Sequence, residues 1–141
     1  MSRKVAREYA YKLIFEYVST QDKEQNVTRE IIFKDPELTK TDSDYINAVI
    51  DGVRCHYDDL MDIISRNAKN FRIERIFKPD LAALLLATFE MNYMPDIPMN
   101  VSISEAVEIV KQYSTEKSYQ FVNGVLAGIY KELAPIRGGK Q

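Results

Sequence analysis

The chain has 141 residues, a net charge of −2, 45% hydrophobic residues and 28% charged ones. This length fits one domain with a sizeable core, and the balance excludes a disordered tail protein, a fibre and a surface that attracts polyanions everywhere. Any nucleic-acid site must therefore be local.

A first helix is expected from about Arg3 to Ser19, because Ala6, Tyr9, Ala10, Leu13, Ile14 and Tyr17 recur at helical spacing and predict a buried side. Lys4, Arg7, Tyr11 and Phe15 follow at steps of three and four, which puts two cations and two aromatics on the face turned away from it. Between Arg3 and Lys12 only Glu8 opposes four positive side chains, so charge is segregated here.

The polar stretch Thr20 to Gln25 predicts a loop, followed by a short helix around Val27 to Lys34 and a break at Asp35-Pro36. Thr41 or Asp42 is expected to cap the next element. Tyr45, Ile46, Val49, Ile50, Val53, Tyr57, Leu60, Met61 and Ile64 then keep helical phase to about Asn67, as one long helix or two stacked ones. Gly52 inside it costs about 1 kcal/mol relative to alanine.

Asn70 to Pro79 mixes Phe71, Ile73, Ile76 and Phe77 with Arg72, Glu74, Arg75 and Lys78, and reads as a connector that tucks aromatics under a helix start. Pro79 with Asp80 beside it marks that start. Leu81 to Met94 is apolar almost all round, the pattern of a central helix, and Pro95 and Pro98 end it. Ser102-x-x-Glu105 has the spacing of a capping box before an apolar run. Ile103, Ala106, Val107, Val110 and Tyr113 predict one buried stripe; after Ser114 to Lys117, Val122, Val125, Leu126, Ile129 and Leu133 predict a second. Phe121 sits about a quarter turn from Val122, at the edge of its helix beside Lys117, Ser118 and Gln120.

Pro135 and Gly138-Gly139 close the last helix. The expected fold is all-α, a compact single-domain bundle of six or seven helices over residues 1–134 with a disordered tail at 135–141, and no strand, repeat or low-complexity tract. No apolar run approaches the roughly 20 residues that cross a bilayer, and the N-terminus leads into an amphipathic helix, so no membrane association and a cytoplasmic location are expected. The single Cys55 cannot form an intramolecular disulfide.

Catalytic chemistry has little to work with. Cys55 and the single histidine, His56, are adjacent on a helix and point about 100° apart, the wrong arrangement for a nucleophile and its base. No Cys/His cluster suggests a metal, no Gly-rich loop suggests nucleotide binding, and Glu105 already has a capping role beside Glu108. The chain is therefore expected to be no enzyme and to need no cofactor. The basic and aromatic faces carry more: cations neutralise phosphates and flat rings stack on unpaired bases. Spacing leaves two readings open for Lys4, Arg7, Tyr11 and Phe15, an RNA surface or helix packing with ordinary solvated charge. Lys117, Ser118, Gln120 and Phe121 repeat the chemistry at another helix start, where backbone N–H groups also meet anions. The two patches together would border one groove.

Ser104-Glu105-Ala106-Val107-Glu108-Ile109-Val110-Lys111 and Phe121-Val122-Asn123-Gly124-Val125-Leu126 resemble the C-terminal signature of the NusB transcription antitermination factors. Ala6-Arg7-Glu8, Gly52-Val53, Arg75-Ile76 and Phe89-Glu90 fall in that family's order, so the resemblance spans nearly the whole chain. It implies an all-helical protein that pairs with NusE, a small-subunit ribosomal protein, to hold single-stranded boxA RNA of ribosomal RNA leader transcripts within the RNA polymerase antitermination complex. By the same resemblance Arg3, Lys4, Arg7, Phe15, Lys117, Ser118, Gln120 and Phe121 match RNA contacts, and Glu74 and Asp80 match the NusE surface. Val5 interrupts the basic cluster, Leu85 replaces an arginine usual in the central helix and Ser104 an asparagine before Glu105. Two alternatives are a helical scaffold or homodimer without RNA binding, and the NusB-like domain of ribosomal RNA methyltransferases, for whose α/β domain these 141 residues leave no room.

Overall fold

The protein, described here as a computed structural model, shows residues 3–20, 25–69 and 72–136. It contains α1 (Arg3–Thr20), α2 (Asn26–Phe33), α3 (Lys40–Cys55), α4 (Tyr57–Asn67), a 3-10 turn (Ile73–Arg75), α5 (Lys78–Tyr93), α6 (Met99–Tyr113) and α7 (Ser118–Leu133). Among the described residues there is no strand, and no helix is long and apolar enough to cross a membrane. The expected loop over 21–24, Phe71 of the connector and the tail beyond Ile136 lie outside the described residues.

α5 is the axis. Every residue from Asp80 to Met91 is buried, and α1, α3, α4, α6 and α7 all pack on it. A helix apolar in every direction has no face to give to water, so it ends in the middle. On α7 the stripe Val122, Val125, Leu126, Ile129 and Leu133 is buried as its spacing predicts. Close approach between α3 and α5 depends on Gly52, where a Cβ would stand 2.2 Å from Cε1 of Phe89. This glycine is required by packing rather than merely tolerated.

Two helix starts differ from the sequence reading. α3 is capped by Thr39, whose hydroxyl accepts from the Asp42 N–H at 3.1 Å while the Asp42 carboxylate accepts from the Thr39 N–H at 3.0 Å. Asp42 is therefore the return half of a capping box, and the cap lies two residues before Thr41. α6 starts at Met99, because Pro98 already accepts from the N–H groups of Val101 and Ser102. Ser102 is thus inside the helix, buried, and Ser102–Glu105 is not a capping box. The buried face runs through Met99, Ser102, Ala106, Ile109 and Val110 and leaves Tyr113 exposed. The long stretch through Gly52 is two helices, broken at His56, whose ring stacks on Tyr93 at 4.2 Å.

Candidate nucleic-acid interface

α1 packs on both α3 and α5. The face expected to point outward turns in at its centre. Arg7 is 5% exposed; its Nε and Nη2 donate to the two carboxylate oxygens of Glu90 on α5 at 2.9 and 3.2 Å. The Tyr45 hydroxyl and the Ser102 hydroxyl donate to the same carboxylate, the latter at 2.7 Å. Burial works against the guanidinium's charge, but the hydrogen bonds and charge of Glu90 outweigh it and hold the Arg7 pKa above its ordinary value. Arg7 is a tie between helices, not a cation presented to phosphates.

Tyr11 is also buried, and its hydroxyl donates to the Pro79 carbonyl at 3.1 Å. Burial, with the charge of Asp80 and the neighbouring Tyr113, pushes its phenol up to about 12. Arg3 lies 4.4 Å over the Tyr45 ring. Lys4 is exposed but shares its depression with Glu8, Glu105, Glu108 and Lys111, where carboxylates outnumber cations.

What reaches the surface is a cleft made by Tyr11, Lys12, Phe15, Pro79 and Tyr113. Phe15 is 38% exposed, a high value for phenylalanine. The Tyr11 and Tyr113 rings stand 5.5 Å apart, tilted by 32°, and the Lys12 ammonium lies 5.6 Å from the Tyr113 ring. The arrangement offers ring faces with a cation at their rim.

A second groove, of about 250 Å³, is lined by Arg75, Ile76, Phe77, Asp80, Thr115, Lys117, Ser118 and Phe121. Lys117 and Gln120 are exposed and Phe121 is half-buried on the core. Ser118 is buried instead, its hydroxyl 3.0 Å from that of Ser114 and 2.9 Å from that of Thr115, holding the turn into α7. Asp80, matched to a protein-partner surface, is 4% exposed and accepts from Ser114 at 2.6 Å, so it forms the floor of the groove rather than a rim. Glu74 is exposed on the 3-10 turn.

The two clefts flank the first turn of α5. Pro79 lines one cleft and Asp80 the other; Tyr11 and Ser114 are hydrogen-bonded to that turn, and Ser118 to Ser114. Sequence reasoning missed Lys12 and Tyr113 as cleft residues, the second because its spacing placed it in a buried stripe, whereas α6 buries the face of Met99, Ser102, Ala106, Ile109 and Val110. It also expected Phe77 to be tucked away, whereas the ring is 55% exposed. Among the described residues no group of three or more His, Cys, Asp or Glu is placed to hold a metal ion.

Known proteins match this chain along its length. The sequence model of the NusB family matches residues 4–131. Transcription antitermination protein NusB of Clostridium botulinum (strain Kyoto / Type A2) is 36% identical over 139 residues, covering 89% of this chain and 97% of the relative. The protein of the same name from Ruminiclostridium cellulolyticum is 38% identical over 132 residues, covering 93% and 90%. The solved structure of T. maritima NusB aligns over 100% of this chain and 99% of its own at 31% identity, with a TM-score of 0.88. A crystal structure of antitermination factors NusB and NusE in complex with dsRNA aligns over 92% and 96% at 25% identity, with a TM-score of 0.82.

Proposed function

The chain belongs to the NusB family of non-catalytic transcription antitermination factors, and from that premise we propose that it holds single-stranded boxA-type RNA of ribosomal RNA leader transcripts jointly with NusE. In this reading it works in the cytoplasm as part of an RNA polymerase antitermination complex. One relative has been solved with NusE and dsRNA together, which supports NusE and RNA as the classes of partner.

The observation that carries the reading is the pairing of rings and cations on both sides of the α5 first turn: Lys12, Phe15 and Tyr113 on one side, Lys117 and Phe121 on the other. Bases in a duplex are stacked on each other and cannot lie on protein rings, whereas an unpaired strand lays its phosphates on cations and its bases on aromatic faces. Gln120, exposed on the first turn of α7, adds a donor and an acceptor for a base edge. Glu74, exposed next to the groove, is the carboxylate offered to NusE, with Asp80 reached only through the groove floor.

The test is a titration with boxA-like RNA, single-stranded and as a duplex of the same sequence, with and without NusE and at several salt concentrations. The single strand is expected to bind more tightly, with affinity falling as salt rises. Phe15→Ala is expected to cost about 1 to 3 kcal/mol of binding with little change in salt slope. Equal affinity for the duplex, or no affinity for either RNA, overturns the reading.

A further inference from the structure

We infer that Arg75 and Phe77 form the outer wall of a second nucleotide subsite, in which Phe77 and Phe121 offer ring faces to an unpaired base and Arg75 and Lys117 hold the flanking phosphates. The inference rests on the RNA-binding reading above and adds two residues that neither the helix periodicity nor the resemblance assigns.

The local fold puts Phe77 outside for a clear reason. Ile76 is buried, and both it and Phe77 have backbone close to polyproline II (φ −68°, ψ 129° and φ −57°, ψ 131°) between the 3-10 turn and α5. With three residues per turn, successive side chains on such backbone point about 120° apart, so anchoring Ile76 turns the Phe77 ring away from the core. The ring then stands at the mouth of the groove whose other wall is Lys117 and Phe121.

Charge selects the occupant. No ion pair among the described residues engages Arg75 or Lys117. The one carboxylate lining the groove, Asp80, is turned inward to Ser114. Two unneutralised cations flanking two rings suit an anion that carries a flat apolar face with it, which is what a nucleotide is. The placement favours a strand over an isolated nucleotide, because the Lys12–Phe15–Tyr113 cleft repeats the same chemistry across one helical turn.

The experiment uses the full chain, a single-stranded boxA-like RNA followed by fluorescence anisotropy, and the variants Phe77→Ala, Arg75→Gln and Phe15→Ala. Phe77→Ala is expected to bind RNA about 5- to 100-fold more weakly with an unchanged melting temperature, since its ring is mostly exposed. Arg75→Gln is expected to weaken binding to every sequence and to reduce the salt slope by about one unit. If both bind like the parent while Phe15→Ala is weakened, the subsite is wrong and the RNA-binding reading stands. If Phe15→Ala is also unaffected, both fail. If Phe77→Ala leaves RNA affinity intact but weakens pairing with NusE measured without RNA, the wall belongs to the protein interface and the inference is overturned.

Discussion

Arg7 and Glu90 are 83 residues apart and meet through two N–H to carboxylate hydrogen bonds between buried side chains. With Tyr45 and Ser102 on the same carboxylate, one buried charge ties α1, α3, α5 and α6 together. Arg7→Ala is therefore expected to cost about 3 to 5 kcal/mol of stability, because it strands Glu90 as an unpaired buried charge. Urea denaturation measures it. A loss below about 1 kcal/mol with a large fall in RNA affinity would return Arg7 to the role of phosphate contact.

Gly52 and Gly124 are expected to respond to alanine with opposite signs. At Gly52 the new methyl meets the buried Phe89 ring, and overpacking of this kind costs about 1 to 3 kcal/mol. At Gly124, exposed in α7, nothing lies within 4 Å, so alanine is expected to stabilise by about 0.5 to 1 kcal/mol through helix propensity. Thermal melts of the two variants beside the parent give both signs. A destabilised Gly124→Ala would contradict the open space beside that residue.

Alkaline pH is expected to weaken the fold through its buried phenols. In the unfolded chain tyrosine titrates at about 10. In the folded protein Tyr11 is pushed up to about 12, and burial with the charge of Glu90 moves Tyr45 further in the same direction. A raised folded-state pKa means that the stabilisation is complete below the unfolded value and is lost as pH climbs from there through the folded value. The melting temperature should fall above about pH 10, and Tyr11→Phe should flatten that fall. A pH-independent melting temperature across this range would show that neither phenol is shielded.

Asp80→Lys makes a poor probe of partner binding, because the carboxylate is buried against Ser114 and a lysine there leaves a charge without a counterion. A stability loss of several kcal/mol is expected, on the order of 3 to 5. Glu74→Lys, at an exposed site, should change stability by less than about 0.5 kcal/mol and weaken pairing with NusE. A Glu74→Lys protein that pairs normally with NusE would move the protein interface elsewhere.

The sequence was most legible where periodicity was complete. α5 has no polar face and α7 has one clean stripe, and neither leaves a choice about what is buried. It misled where a charged or polar side chain satisfies its needs inside. The spacing of Arg7 says which side of α1 it occupies but not that Glu90, in another helix, waits on that side. Ser102 shows the same limit: its distance from Glu105 fits a cap, yet Pro98 starts the helix earlier and its hydroxyl turns to Glu90. Phe77 fails in the other sense, since aromatic composition predicts burial and only the direction of Ile76 decides otherwise. A long-range partner, Glu90, settled Arg7 and Ser102, and the burial of the neighbouring Ile76 settled Phe77.

The burial of α5 on every side also governs how the chain can be made. Its apolar rod, residues 80–91, is covered by α1, α3 and α4 from the preceding sequence and by α6 and α7 from the following one. While the ribosome is still adding α6 and α7, the nascent protein carries that rod half-wrapped, with Leu84, Leu85 and Leu86 lacking part of their shelter. Stable structure therefore waits for the last helix to leave the exit tunnel, and until then this stretch is where a chaperone would hold.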